Sequence, residues 1–320
     1  MKRIAALFLI SLAAFSTYAR TSRAARFRNT EPVVLQATEI PDARAWATRV
    51  TRQAREHVRA AAKAPRTNAI INNSSARALI IPAAGSVRGA GGTFFRSDIT
   101  FVNYNENNQR VGVLWLPNGG GTPRGFSINI AGNHPPTTTE DFVGTTLGLS
   151  GLGAIILLPV DATGDFDENG AIDAYSRIWT PQPNATGTVS QPFPAVEPDY
   201  LTGNYEGIIL GMRQDANYRT NYGIVNVSEA DLPFTLTVFP ETGSPVETTI
   251  NVPSLSMVQT GIPAGNFGKL TLALNVNAQI PDNDFTWVGY ASSTDNITGD
   301  GWVSIAATAF DDDDLDSEDR

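Results

Sequence analysis

An internal repeat constrains the fold of this chain most. Phe95-Arg96-Ser97-Asp98 followed by Val102-Asn103 returns 123 residues later as Tyr218-Arg219-Thr220-Asn221 followed by Val225-Asn226. At the same spacing Leu116-Pro117 meets Phe239-Pro240, and Gly120 meets Gly243. Further along, Gly153-Ala154-Ile155-Ile156-Leu157 aligns with Gly268-Lys269-Leu270-Thr271-Leu272 at a spacing of 115, which also pairs Tyr175 with Tyr290. Two collinear blocks joined by one change of spacing predict that residues 76–180 and 205–309 are two copies of one unit. Two halves of one larger sandwich are the alternative.

The local pattern says what such a unit is made of. Short runs rich in Ile, Val, Thr and aromatics, among them 78–81, 98–103, 111–116, 126–130, 154–158 and 171–179, are separated by Gly, Pro, Asn and Asp clusters. The second half repeats this with runs at 207–210, 221–227, 234–239, 247–252, 270–276, 285–290 and 302–308. In Thr235-Leu236-Thr237-Val238-Phe239 the threonines take one side and Leu236 and Val238 the other, as a half-buried strand requires. The expected fold class is all-β: two tandem immunoglobulin-like β-sandwich units, preceded by one amphipathic helix. Residues 181–204, with Pro181, Pro183, Pro192, Pro194 and Pro198, are expected to be the linker.

The segments that carry the repeat also carry a resemblance. Gln214-Asp215-Ala216-Asn217-Tyr218-Arg219-Thr220-Asn221-Tyr222-Gly223-Ile224-Val225-Asn226 resembles a segment of exported bacterial proteins of unknown function. Gly92-Thr93-Phe94-Phe95-Arg96-Ser97-Asp98 resembles their earlier copy, and 290–300 their closing segment. The resemblance spans roughly residues 78–308 and implies an exported, duplicated β protein, an accessory module with no established activity.

The ends differ from the middle. Lys2 and Arg3 precede an apolar run over 4–15, and Thr17-Tyr18-Ala19 supplies a small residue before a cut, so residues 1–19 read as a secretory signal peptide. An uncleaved anchor is the alternative. The rest of the chain offers no stretch of about 20 apolar residues, so no integral membrane span is expected. Residues 20–75 form a basic segment; between 20 and 66 ten Arg and one Lys face four acids. Within it, about 42–63, Ala43, Trp46, Ala47, Val50, Ala54, Val58 and Ala61 recur at helical steps opposite Arg44, Arg52, Arg55 and Arg59. Such a helix serves an anionic surface or partner, or simply docks on the domain. Residues 310–320 are an acidic tail expected to be disordered.

Composition closes off much chemistry. With no Cys, thiolate metal sites and cysteine nucleophiles are excluded, and with only His57 and His134 most histidine-based catalysis is hard to build. Neither His has an evident Ser or carboxylate partner, no phosphate loop appears, and basic residues without interleaved aromatics give no support for a nucleic-acid partner. The best site candidate is a loop carrying Asp165, Asp167, Asn169, the Ala171 carbonyl and Asp173, with Gly170 at its sharp turn, which matches the early positions of a Ca²⁺ loop. Ser176 stands where the last bidentate acid belongs. The loop is therefore either a loose Ca²⁺ hairpin or an acidic turn without an ion. No catalytic residue is assigned. The expected function is an exported non-catalytic module for surface structure, adhesion or binding of a surface glycan or protein. Trp115, Trp179, Trp287 and Trp302 would stack on sugars where exposed, although strand periodicity places most of them in the core. The alternative is an exported carboxylate-dependent hydrolase of glycoside type, stabilised by Ca²⁺.

Overall fold

The computed structural model describes residues 33–63, 78–89, 92–182, 186–197, 206–277 and 286–308. The signal-peptide reading of 1–19, most of the basic segment outside the helix and the acidic tail lie outside these residues. The described chain is mostly β, with antiparallel ladders. Strands β1 (Thr38–Ile40), β2 (Leu79–Arg88), β3 (Phe94–Asn103), β4 (Gln109–Pro117), β5 (Arg124–Ile130), β6 (Thr137–Thr139), β7 (Gly151–Val160), β8 (Ile172–Pro181) and β9 (Thr188–Pro194) form one sheet. Its order is β1-β5-β4-β7-β2-β3-β8-β9, with β6 also on β3. The second half holds β10 (Gly207–Gln214), β11 (Tyr218–Asn226), β12 (Leu232–Pro240), β13 (Val246–Val252), β14 (Ser256–Gly261), β15 (Gly268–Val276), β16 (Trp287–Asp295), β17 (Gly301–Ile305) and β18 (Ala307–Thr308). These make two sheets, β13-β12-β15-β10-β18 and β14-β11-β16-β17.

The pairings recur between the halves. β5-β4-β7-β2 is ordered as β13-β12-β15-β10, and β6-β3-β8-β9 as β14-β11-β16-β17. Arg96 faces Trp179 as Arg219 faces Thr294, and Thr100 faces Tyr175 as Gly223 faces Tyr290. β2 shifts register between Ile81 and Ala84 on β7, and β10 shifts between Ile209 and Met212 on β15. One sequence match is corrected. Pro117 faces Gly153 whereas Pro240 faces Leu270, so the position equivalent to Gly153 in the second half is Leu270, two residues beyond Gly268. A slip of two keeps every side chain on its own face, so alternation is blind to it. The Pro-rich stretch is corrected too: Thr188–Pro194 is a strand, pairing β8 from Tyr175↔Pro194 to Pro181↔Thr188. β9 ends the path of the nine-stranded sheet, where a missing proline N–H costs no ladder bond.

The repeated asparagines close equivalent turns. Asn103 Nδ2 donates to the carbonyls of Asn107 (2.8 Å) and Ile130 (3.2 Å), and its Oδ1 accepts from the Asn105 amide at 2.9 Å. Asn226 Nδ2 donates to Ala230 (2.8 Å), Val252 (3.0 Å) and Pro253 (3.1 Å), and its Oδ1 accepts from the Ser228 amide at 2.8 Å. Both are buried. Truncation strands buried carbonyls and an amide, so Asn103→Ala and Asn226→Ala are each expected to lower stability by about 1–3 kcal/mol in urea titrations. The repeated arginines tie down loops: Arg96 Nε lies 3.8 Å from Asp141 Oδ2, and Arg219 Nη1 donates to Asn296 Oδ1 at 2.7 Å.

The two halves do not hang as separate beads. In β14-β11-β16-β17, Tyr222, Ile224, Trp287 and Ala291 enter the second-half core, while Val225, Met257, Val288 and Tyr290 join the core of the first half. That sheet is thus buried on both faces. β2, β4 and β7 likewise read as unbroken buried runs, such as Ile155–Leu158 within β7, because their outer face is also covered. Part of that cover is helix α1 (Ala43–Lys63), which brings Trp46, Ala47, Val50 and Ala54 into the same core. The side chains of Val58 and Ala61 lie outside the described residues. Asp42 starts the helix with its side chain accepting from the Ala45 amide at 3.3 Å.

Candidate functional site

The second half carries an open groove of about 650 Å³, built from a bulge, two strand ends and one aromatic clamp. In β10 two residues, Leu210 and Gly211, stand opposite Thr271 alone, and Gly211 takes a φ of 78° that a side chain would strain. The bulge frees the Gly211 carbonyl to accept from the Trp302 indole N–H at 2.8 Å. Tyr218 meets the Trp302 ring edge-on at 5.9 Å. The Arg213 guanidinium lies 4.1 Å from the Tyr218 ring centroid and donates through Nε to Asp215 Oδ2 at 2.6 Å. Trp302 is thereby held in one orientation while 36% of it remains exposed. Phe239, 42% exposed, and Leu270 supply apolar surface, and Glu241 and Lys269, 4.0 Å apart, stand at the rim.

The clamp has a pH signature. The Arg213 hydrogen bond, then the Asn217 amide, hold the Asp215 carboxyl below its ordinary value, and the same hydrogen bond raises the Arg213 guanidinium. A depressed carboxyl contributes fully above its unfolded value, about pH 4, and its contribution fades as pH falls through the depressed value. The Arg213 Nε–H signal in NMR is therefore expected to stay put from neutral pH to about pH 4 and to collapse only below it.

The other sequence candidates are placed differently. Trp115 and Trp287 are buried in the core. Trp179 is half-buried on the outer face of β8, with Arg96 at 5.6 Å and Arg177 at 5.8 Å from its ring. Trp302 is the tryptophan that reaches the groove. Phe239 could have been found too, because the alternation in β12 sets it on the threonine side. Nothing in the local sequence marks Glu241, Lys269 and Arg213, which come together only through the ladders.

Residues of the acidic loop bond to separate partners. Asp165 Oδ1 faces Arg49 Nε of the helix at 3.3 Å. Asp167 accepts from the Asn169 amide (3.0 Å) and from Gln109 Nε2 (3.2 Å), and the Asn169 carbonyl accepts from Asn105 Nδ2 at 2.8 Å. The Ala171 carbonyl accepts from the Tyr104 amide at 2.8 Å, and Asp173 Oδ1 accepts from the Ala174 amide at 2.7 Å. No group of three His, Asp or Glu side chains converges among the described residues. The structure makes this loop a seat for the helix: Trp46 Nε1 donates to the Gly164 carbonyl at 3.0 Å, and Gln53 Oε1 accepts from the Phe166 amide at 3.0 Å. His57 lies 3.7 Å from Glu168 at the same seat.

Asp98 and Asp141 lie together on the outer face of β3, yet both are engaged. Asp98 accepts from the Asp141 amide at 3.1 Å and faces Arg177 at 3.9 Å, while Asp141 accepts from Ser86 Oγ at 3.3 Å and from the Gly144 amide at 3.3 Å. This network fixes the single π-turn Phe142–Thr146 against the sheet.

No protein-family model matches the chain, and no curated protein matches it at a significant level. Among solved structures it is similar to the crystal structure of Thermotoga maritima 1070, at 9% identity and a TM-score of 0.28, over 35% of this chain and 97% of that one. A likeness that slight carries no argument about fold or function.

Proposed function

We propose that this is an exported, non-catalytic β module of two sandwich units copied from one ancestor, and that it acts by binding through the second-unit groove. Export rests on the basic start, the short apolar run and the small residue at position 19. Duplication is supported by the recurring strand order and by the paired turns of Asn103 and Asn226. No helix among the described residues is long and apolar enough to cross a membrane.

The binding reading rests on one observation. Trp302 is fixed by a hydrogen bond and an aromatic neighbour, yet keeps a third of its surface open beside an exposed Phe239. A rigid, partly exposed aromatic with polar groups at its rim offers contact area at small entropic cost. Retention by a surface glycan or protein in glycan-array and cell-wall pull-down experiments is expected to fall at least about ten-fold for Trp302→Ala. Undiminished retention in a variant with unchanged melting would remove the groove from the account.

A further inference from the structure

The groove has a counterpart in the first half, and there it is filled. Phe239 and Pro240 face Thr271 and Leu270 just as Leu116 and Pro117 face Ala154 and Gly153. The next residue repeats the geometry: the Glu241 amide donates to the Lys269 carbonyl at 2.8 Å, and the Asn118 amide to the Leu152 carbonyl at 2.9 Å. Trp302 occupies the ladder place of Gln191: Trp302 faces Ser293, and Gln191 faces Ile178. In the first half these places hold the second half. Asn118 bridges Met257 in parallel, the Gly119 amide donates to the Met257 carbonyl at 2.8 Å, and the Gln259 amide donates to Asn118 Oδ1 at 2.7 Å. Gln191 Nε2 meets Thr294 Oγ1 at 3.3 Å. Leu116 and Met257 are both fully buried there.

We propose that the second-half groove is a docking site for an extended polypeptide segment of another protein, bound as Ser256–Gly261 is bound within this chain. The proposal rests on the binding reading above and names its partner class. By the same register Glu241 takes the place of Asn118, whose Oδ1 accepts a backbone N–H, and Thr242 follows it as Gly119, whose amide donates to a backbone carbonyl, follows Asn118. Phe239 and Trp302 offer an apolar floor for a side chain like that of Met257. An extended segment meets both needs, since its backbone groups give affinity and one inward side chain gives selectivity. A second copy of this chain fits less well. The first-half face equivalent to the one buried in the second half carries Asp173 where Val288 stands, and the exposed Tyr175 where Tyr290 is buried.

The test uses the full chain and a synthetic nonapeptide with the sequence of residues 253–261, Pro-Ser-Leu-Ser-Met-Val-Gln-Thr-Gly. NMR titration is expected to move the Trp302 indole and Thr242 amide signals. Affinity is expected to fall at least about ten-fold for Phe239→Ala and for a peptide whose methionine is replaced by Asp. No binding, or binding indifferent to both changes, overturns the proposal. Peptide silence with oligosaccharide binding that Trp302→Ala removes overturns the peptide class alone and leaves the binding reading standing. Silence of both probes, with pull-down retention unchanged in Trp302→Ala, removes both. Ultracentrifugation showing self-association lost in Phe239→Ala overturns the foreign segment in favour of a second copy.

Discussion

Trp46→Ala is expected to cost the fold about 3–5 kcal/mol, the range for deleting a large buried aromatic. The indole is 6% exposed and lies where two glycines of the first half leave room for it. A Cβ on Gly112 would come within 2.4 Å of the ring, and one on Gly125 within 3.4 Å. The ring also donates to the Gly164 carbonyl, so truncation leaves a cavity and removes that carbonyl's indole partner. By ladder register the equivalent strand positions in the second half are Thr235, which faces Thr249, and Glu247, which faces Thr237, so side chains stand where the first half has glycines. Helix docking is thus specific to the first half, and urea titration followed by helix circular dichroism reads it directly. A loss below about 1 kcal/mol would show that the helix merely rests on the sheet.

The same comparison shows what the sequence made legible. Period-two runs located most strands, because half-buried strands advertise their faces. The helix was legible from its apolar steps and from Asp42 at its start. Three kinds of feature were hidden. β6, β9 and β14 lie in Thr- or Pro-containing stretches whose side chains carry little apolar signal, and they form through pairing with β3, β8 and β11. The two-residue slip between Gly153 and Gly268 leaves every face unchanged, so no pattern betrays it. The double burial of β14-β11-β16-β17 depends on how the halves pack. In hindsight, Val225 beside Ile224 and Val288 beside Trp287 mark apolar residues on both faces.

Local sequence records different amounts of the groove and of the acidic loop. Trp302 was named among four tryptophans that would bind where exposed, and the fold exposes it at the groove. The acidic loop's oxygens recur at the spacing of a Ca²⁺ loop. Spacing does not show which partners those oxygens meet, and here Arg49, Gln109 and the loop's own amides meet them. Glu241 and Lys269 come together across β12 and β15, a pairing that no local motif records.

Leu116 and Phe239 occupy the same ladder position in the two halves, one buried beneath the second half and the other 42% exposed in the groove. Calorimetry and pull-down on matched Leu116→Ala and Phe239→Ala variants therefore test whether one surface is structural in its first copy and functional in its second. Leu116→Ala is expected to lose about 2–5 kcal/mol of stability. Phe239→Ala is expected to change stability by about 0.5 kcal/mol or less, while its retention by the partner falls at least about ten-fold. Equal losses of stability in both variants, or undiminished retention in Phe239→Ala, would contradict the account.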